Sequence, residues 1–163
     1  MRILFISPDS TFPGESKENM KKIFQEKEIR MESSDKPRAE HKAAGYDAII
    51  LAGDENSIAI DDMDLLKNIL YEFMKENKIV GAIDCAPVLL AMTGILEGKC
   101  ATVNDTKELG RQIHKLGSLF FEESVVVDKN VVTANSPSAA SEFANTLIEL
   151  MNAEDLDNRI TCN

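Results

Sequence analysis

Residues 78–92, KIVGAIDCAPVLLAM, constrain this chain more than any other stretch. They read as a short apolar strand over Ile79–Ile83, an abrupt turn at Asp84 and Cys85, and a helix entered through Pro87. Proline suits a first helical turn because it lacks the amide hydrogen that would go unpaired there. A strand that turns sharply into a helix holds one side chain at the end of a sheet. There, helix-terminal N–H groups and the macrodipole favour negative charge. Asp84 takes that place in this reading, with Cys85 beside it.

The rest of the chain supplies the sheet and layers that such an elbow needs. Residues 2–7 form a continuous β-branched and aromatic run, which suits a strand buried on both faces of a parallel sheet. Residues 8–14, PDSTFPG, are dense in turn formers, and the spacing of Met20, Ile23, Phe24 and Lys27 predicts a helix over 15–28. Residues 29–32 suit a short strand and 33–40 a polar loop. Residues 46–51 read as a third central strand ending at Gly53, with a loop opening at Asp54. Asp61, Asp62 and Asp64 begin a helix reaching about residue 77, with Leu65, Leu66, Ile69, Leu70 and Phe73 facing the core. Acids in a first turn are what capping and the helix dipole favour, so they do not indicate a metal site. Residues 99–103 suit a strand and 105–116 a helix carrying His114, which reads as a surface or half-buried residue; His41 lies in the polar loop region. Residues 119–121, 125–127 and 131–133 suggest small antiparallel strands with a turn at 128–130. Ser136 and Pro137 open a final helix with Phe143, Leu147, Ile148 and Leu150 inward, and 153–163 reads as a frayed tail.

Strands alternate with helices through most of the chain, which implies an α/β class, three-layer α/β/α sandwich on a mostly parallel, flavodoxin-like sheet. A chain of 163 residues with 44% hydrophobic content suits one domain, over 1–152. The formal net charge of −10 argues against nucleic acid or an anionic membrane as partner, since both require a basic surface. Cys85, Cys100 and Cys162 are three cysteines at no metal-like spacing. They indicate neither a disulfide framework nor zinc, which suits a reducing cytoplasm. No glycine-rich nucleotide loop is present, and no cofactor is implied.

Several stretches together resemble the ThiJ/PfpI superfamily, whose fold is class I glutamine-amidotransferase-like. Its elbow reads roughly A-I-C-A-G-P-x-x-L-A, followed by G-(I/L)-L-x-G-(K/R); here stand Ala82-Ile83-Asp84-Cys85-Ala86-Pro87-Val88-Leu89-Leu90-Ala91 and Gly94-Ile95-Leu96-Glu97-Gly98-Lys99. Tyr46-Asp47-Ala48-Ile49-Ile50-Leu51-Ala52-Gly53 is similar to its Y-D-(A/V)-(I/V)-x-(I/L)-P-G-G strand. Residues 125–133 are similar to its late hairpin, and 137–147 to its final helix. The family's nucleophilic cysteine falls on Asp84, and Cys85 sits one position late. Its acidic residue falls near Ser16, with Glu15 or Glu18 able to supply a carboxylate. Its second glycine after Gly53 is Asp54, and its histidine falls on Cys85 or Gly117. The resemblance also implies a homodimer or higher homo-oligomer and places Gly53, Asp54, Ser16 and Pro87 around the pocket.

A thiol at the elbow is a natural nucleophile; a carboxylate is a far weaker one and cannot enter the cysteine oxidation ladder. Four readings follow. The chain is a pseudoenzyme that binds a small molecule or a protein, in a stress-response role. Alternatively, Asp84 is a general base or nucleophile, with Glu15 or Glu18 as acid and the Gly53 and Cys85 N–H groups as oxyanion donors. In the third reading, a one-residue shift puts Cys85 at the elbow with glyoxalase-, deglycase- or peptidase-like chemistry; in the fourth, the function lies outside this pocket. Backbone geometry separates the second from the third: the elbow residue carries φ above zero.

Overall fold

In the computed structural model, residues 1–7, 12–53, 62–104 and 106–153 are described. Asp54, Asp61, Asp105, Cys162, most of the 8–14 turn and the tail from 154 lie outside them.

The elements run β1 (Arg2–Ile6), α1 (Gly14–Glu26), β2 (Arg30–Ser34), β3 (Ala48–Ala52), α2 (Met63–Lys75), β4 (Ile79–Ile83) and α3 (Pro87–Met92). They continue through β5 (Cys100–Ala101), α4 (Thr106–Lys115), β6 (Leu119–Phe120), β7 (Val125–Asp128), β8 (Val131–Ala134) and α5 (Ala140–Met151). Six strands form one sheet in the order β2-β1-β3-β4-β8-β7. It is parallel except for the edge strand β7, which pairs antiparallel with β8.

The continuous apolar runs have a simple cause. Both faces of the sheet are covered, so each alternate residue meets a different core. Leu4, Ile49, Leu51, Val80 and Ala82 pack towards α2, α3 and Ile113 of α4. Ile3, Phe5, Ile50, Ile79 and Ile83 pack towards α1 and α5, whose Phe24 and Phe143 are fully buried. Each such ring contributes roughly 1.5–3 kcal/mol by leaving water. The result is the flavodoxin-like α/β/α sandwich that the alternation implies.

Five local expectations need correction. β2 continues to Ser34, so the strand takes in polar residues that the composition assigned to a loop; pairing with β1, from Arg2 opposite Arg30 to Ile6 opposite Ser34, overrides weak propensity. Residues 119–120 do not join an antiparallel set: β6 pairs in parallel with β5, in a separate two-stranded sheet. Ser136 makes no capping bond, and α5 is entered instead through a 3-10 turn at Pro137–Ala139. His41 is buried, and its Nδ1 accepts the Arg38 N–H at 3.1 Å. Cys100, buried on β5, is disulfide-bonded, so the cysteine count carries no weight for compartment.

β5 rides on the β7–β8 hairpin through side chains. Asp128 Oδ2 accepts the Cys100 N–H at 2.8 Å, and Thr133 Oγ1 accepts the Thr102 N–H at 2.9 Å. These two bonds carry the chain after β5 to the end of β4, where the elbow stands.

Candidate functional site

β4 ends at Ile83, and the next residue turns left-handed. Asp84 has φ 72, a conformation in which non-glycine residues are uncommon and aspartate is among the better tolerated. Asp84 therefore forms the apex of the bend, and Cys85 follows it towards α3. Pro87 is buried as the first residue of that helix.

Both backbone groups of Asp84 are held by residues distant in the chain, one at the end of β8 and one in the segment that follows β5. Its N–H donates to Ala134 O at the end of β8 at 3.1 Å, and its carbonyl accepts the Asn104 N–H at 2.7 Å. The Asn104 side-chain amide also donates to Asp84 Oδ1. Asp84 is 8% exposed, so this amide offsets part of the cost of taking a carboxylate out of water; a bond to a charged acceptor contributes about 1.5–3 kcal/mol. The half-buried Cys85 thiol lies 3.9 Å from the same Oδ1. The thiol at this position faces a carboxyl oxygen of its chain neighbour.

A cavity of about 700 Å³ lies beside the segments that hold Asp84, lined among others by Thr102, Val103, Lys107, Glu122 and Asn135. Val103 and Asn135 are the chain neighbours of Asn104 and Ala134, the two residues that clasp Asp84. Thr102 is 1% exposed, yet its Oγ1 has no hydrogen-bond partner. A buried hydroxyl left unpaired costs about 1–3 kcal/mol, so a group entering this cavity would recover that energy by bonding to it.

The other sequence candidates lie around this end of the sheet. β1, β3 and β4 are parallel, so the start of α1, the end of β3 and the elbow share one edge. Gly53, buried with φ 104, directly follows β3. Glu15 and Glu18 are exposed on α1, Ser16 is half-buried, and Glu18 faces Lys21 at 3.9 Å. Among the described residues, Asp84 bonds to Ala134 and Asn104 and lies beside Cys85. Asp54 lies outside the described residues. Asn104 and Thr102 escaped the sequence reading, because neither follows a periodic pattern and both gain their roles from β5 docking on the hairpin. Among the described residues, no group of three His, Cys, Asp or Glu side chains could hold a metal.

A separate polar cluster lies at the β1–β2 edge. Tyr46 Oη donates to Glu32 Oε1 at 3.0 Å, and Arg2 Nη2 donates to Glu32 Oε2 at 2.9 Å. The bond from Tyr46, then Arg2, holds the Glu32 carboxyl below its usual range. Burial, with the Glu32 bond, pushes the Tyr46 phenol up, and burial pushes the nearby His41 down.

The profile of the DJ-1/PfpI family matches residues 5–150. The chain belongs to the DJ-1/PfpI family. The glutathione-independent glyoxalase DJ-1 of Schizosaccharomyces pombe is 30% identical over 156 residues, covering 93% of this chain and 80% of that protein. An uncharacterised protein of Methanocaldococcus jannaschii is 41% identical over 93 residues, which is 57% of this chain but 44% of that protein. The solved ThiJ/PfpI domain protein of Brachyspira murdochii superposes with a TM-score of 0.80 at 24% identity, over 93% of this chain and 96% of that one. This DJ-1/PfpI chain thus shares the family's sandwich, and among the described residues no helix is long and apolar enough to cross a membrane.

Proposed function

We propose that this chain is a DJ-1/PfpI member that binds a small molecule at the elbow without the family's cysteine chemistry. The observation that carries this reading is the backbone of Asp84. It takes the φ 72 bend, so the carboxylate occupies the apex and the Cys85 thiol stands beside it as the neighbour of a negative charge. A carboxylate has the charge and shape of an oxidised cysteine sulfinate and cannot be reduced or alkylated as a thiol. The unpaired Thr102 hydroxyl and the adjoining cavity supply a place for a polar ligand. A homodimer, a cytoplasmic setting and a stress-response role belong to the same reading through the family resemblance.

A second reading has its own support: the Schizosaccharomyces pombe relative is named a glutathione-independent glyoxalase. In that reading, Asp84 acts as general base or nucleophile on a small electrophilic carbonyl compound, with Glu15 or Glu18 as acid partner.

Methylglyoxal consumption and labelling by a thiol-selective alkylator, measured on the parent, Asp84→Asn and Cys85→Ser, separate these readings. The first expects no turnover above background in any of the three. Turnover lost in Asp84→Asn alone would establish the second reading, and turnover lost in Cys85→Ser alone would return the thiol to the site.

A further inference from the structure

Outside the elbow, α4 and β6 enclose a groove of about 400 Å³, within the usual range of roughly 300–1,000 Å³ for small-molecule sites. One wall carries Lys107, Arg111 and His114, spaced i, i+4 and i+7 along α4 and therefore on one stripe of the helix. The other wall is hydrocarbon: Leu119, Phe120 and Phe121. Leu119 is 50% exposed, unusual for a strand residue of its size.

Two features show that the groove is built. Gly110 sits within α4, where glycine costs roughly 0.5–1 kcal/mol against alanine. A Cβ there would come 2.8 Å from the Phe120 ring, so the glycine lets that ring lie directly on the helix and floor the groove. The cations are also unused, since neither Lys107 nor Arg111 has an ion pair among the described residues. In a chain of net charge −10, cations with no carboxylate partner among the described residues, gathered along an apolar trough, call for an anion with a hydrophobic body.

We propose that this groove binds an alkyl monocarboxylate, its head on the Lys107, Arg111 and His114 stripe and its chain along Leu119 and Phe121. One negative end suits the site better than many, because the acidic remainder of the protein repels a polyanion. The groove shares Lys107 and Phe120 with the cavity beside Asn104 and Asn135, and Asp84 is among the lining residues of neither. It therefore stands whichever way the elbow is read.

Calorimetric titration of the full chain with decanoate, kept below micellar concentration, tests this. Saturable binding is expected, with decanol and acetate each at least about tenfold weaker, because one lacks the head and the other the chain. Arg111→Glu and Leu119→Ser should each weaken decanoate at least about tenfold, and added salt should weaken it further. Both residues are exposed, and unchanged melting curves would confirm that the variants remain folded. Asp84→Asn should leave decanoate affinity unaltered. Absence of saturable binding, equal affinity for decanol, indifference to Arg111→Glu, or a loss in Asp84→Asn would each overturn the assignment. So would binding to phosphatidylglycerol vesicles without binding to monomeric decanoate, which would make the stripe a lipid-surface contact.

Discussion

At the elbow, Asp84 is clasped by the end of β8 and by the backbone and side-chain amides of Asn104; on the α4–β6 flank, Lys107 and Arg111 stand exposed beside an apolar trough, without ion pairs among the described residues. The first site stores its character in a backbone that admits few residues and a carboxylate whose partners are already in place. The second stores it in surface charge and an unfilled hydrocarbon wall. Substitution at the elbow should therefore register as stability, and substitution on the flank as affinity.

The largest effect expected is at the apex. Asp84→Val puts a β-branched residue at positive φ and leaves the Asn104 amide without its acceptor, at a combined cost of about 2–5 kcal/mol in urea unfolding. Asp84→Gly removes the strain while losing the same bond, so it should fall clearly short of that cost. Equal losses in the two variants would show that backbone strain contributes nothing.

Gly110→Ala comes next and crosses the comparison, because it is a packing change on the flank. Overpacking against Phe120 should cost about 1–3 kcal/mol, reduced by the better helix propensity of alanine. A neutral result would mean that the Phe120 ring moves freely and that the groove has no fixed floor. Thr102→Val should stabilise the ligand-free chain by up to about 1 kcal/mol by removing an unpaired hydroxyl. A loss of stability instead would show that the hydroxyl already has a partner.

The smallest effects are pH-dependent and electrostatic. Burial lowers the folded-state proton affinity of His41 below its ordinary value of 6.5, so below that pH the unfolded chain binds the proton more readily. Its contribution to stability is full above about pH 6.5 and declines as pH falls towards the depressed value. His41→Asn, which keeps an acceptor for the Arg38 N–H, should flatten the stability profile below about pH 6.5. An unchanged slope would assign it to other groups. Arg111→Ala should alter stability by no more than about 0.5 kcal/mol; a larger loss would mean that the stripe has a structural role.

Much of this contrast is visible in the chain itself. The runs at Arg2–Ile6, Ala48–Ala52 and Ile79–Ile83 announce central strands because both of their faces are covered, and Pro87 announces the helix beyond the bend. The bend at Asp84 and Cys85 follows from the same local pattern. The stripe of Lys107, Arg111 and His114 around Gly110 was also open to reading, as basic residues at helical spacing about a glycine too costly to be idle. Asn104 and Thr102 were not, because nothing within a few residues of either dictates what they meet.

The division follows from the range of the forces involved. Sequence alone determined which segments alternate, which faces are apolar and where the bend falls, since periodicity and proline act over a few neighbours; that Asp84 rather than Cys85 takes it is shown by its φ of 72. Tertiary structure decided that β5 hangs from Asp128 and Thr133, that its continuation brings Asn104 onto the carboxylate, and that β6 pairs with β5 to wall the groove. Each of these joins residues distant along the chain. Their encounter depends on how the whole sheet closes, which no local window of sequence contains.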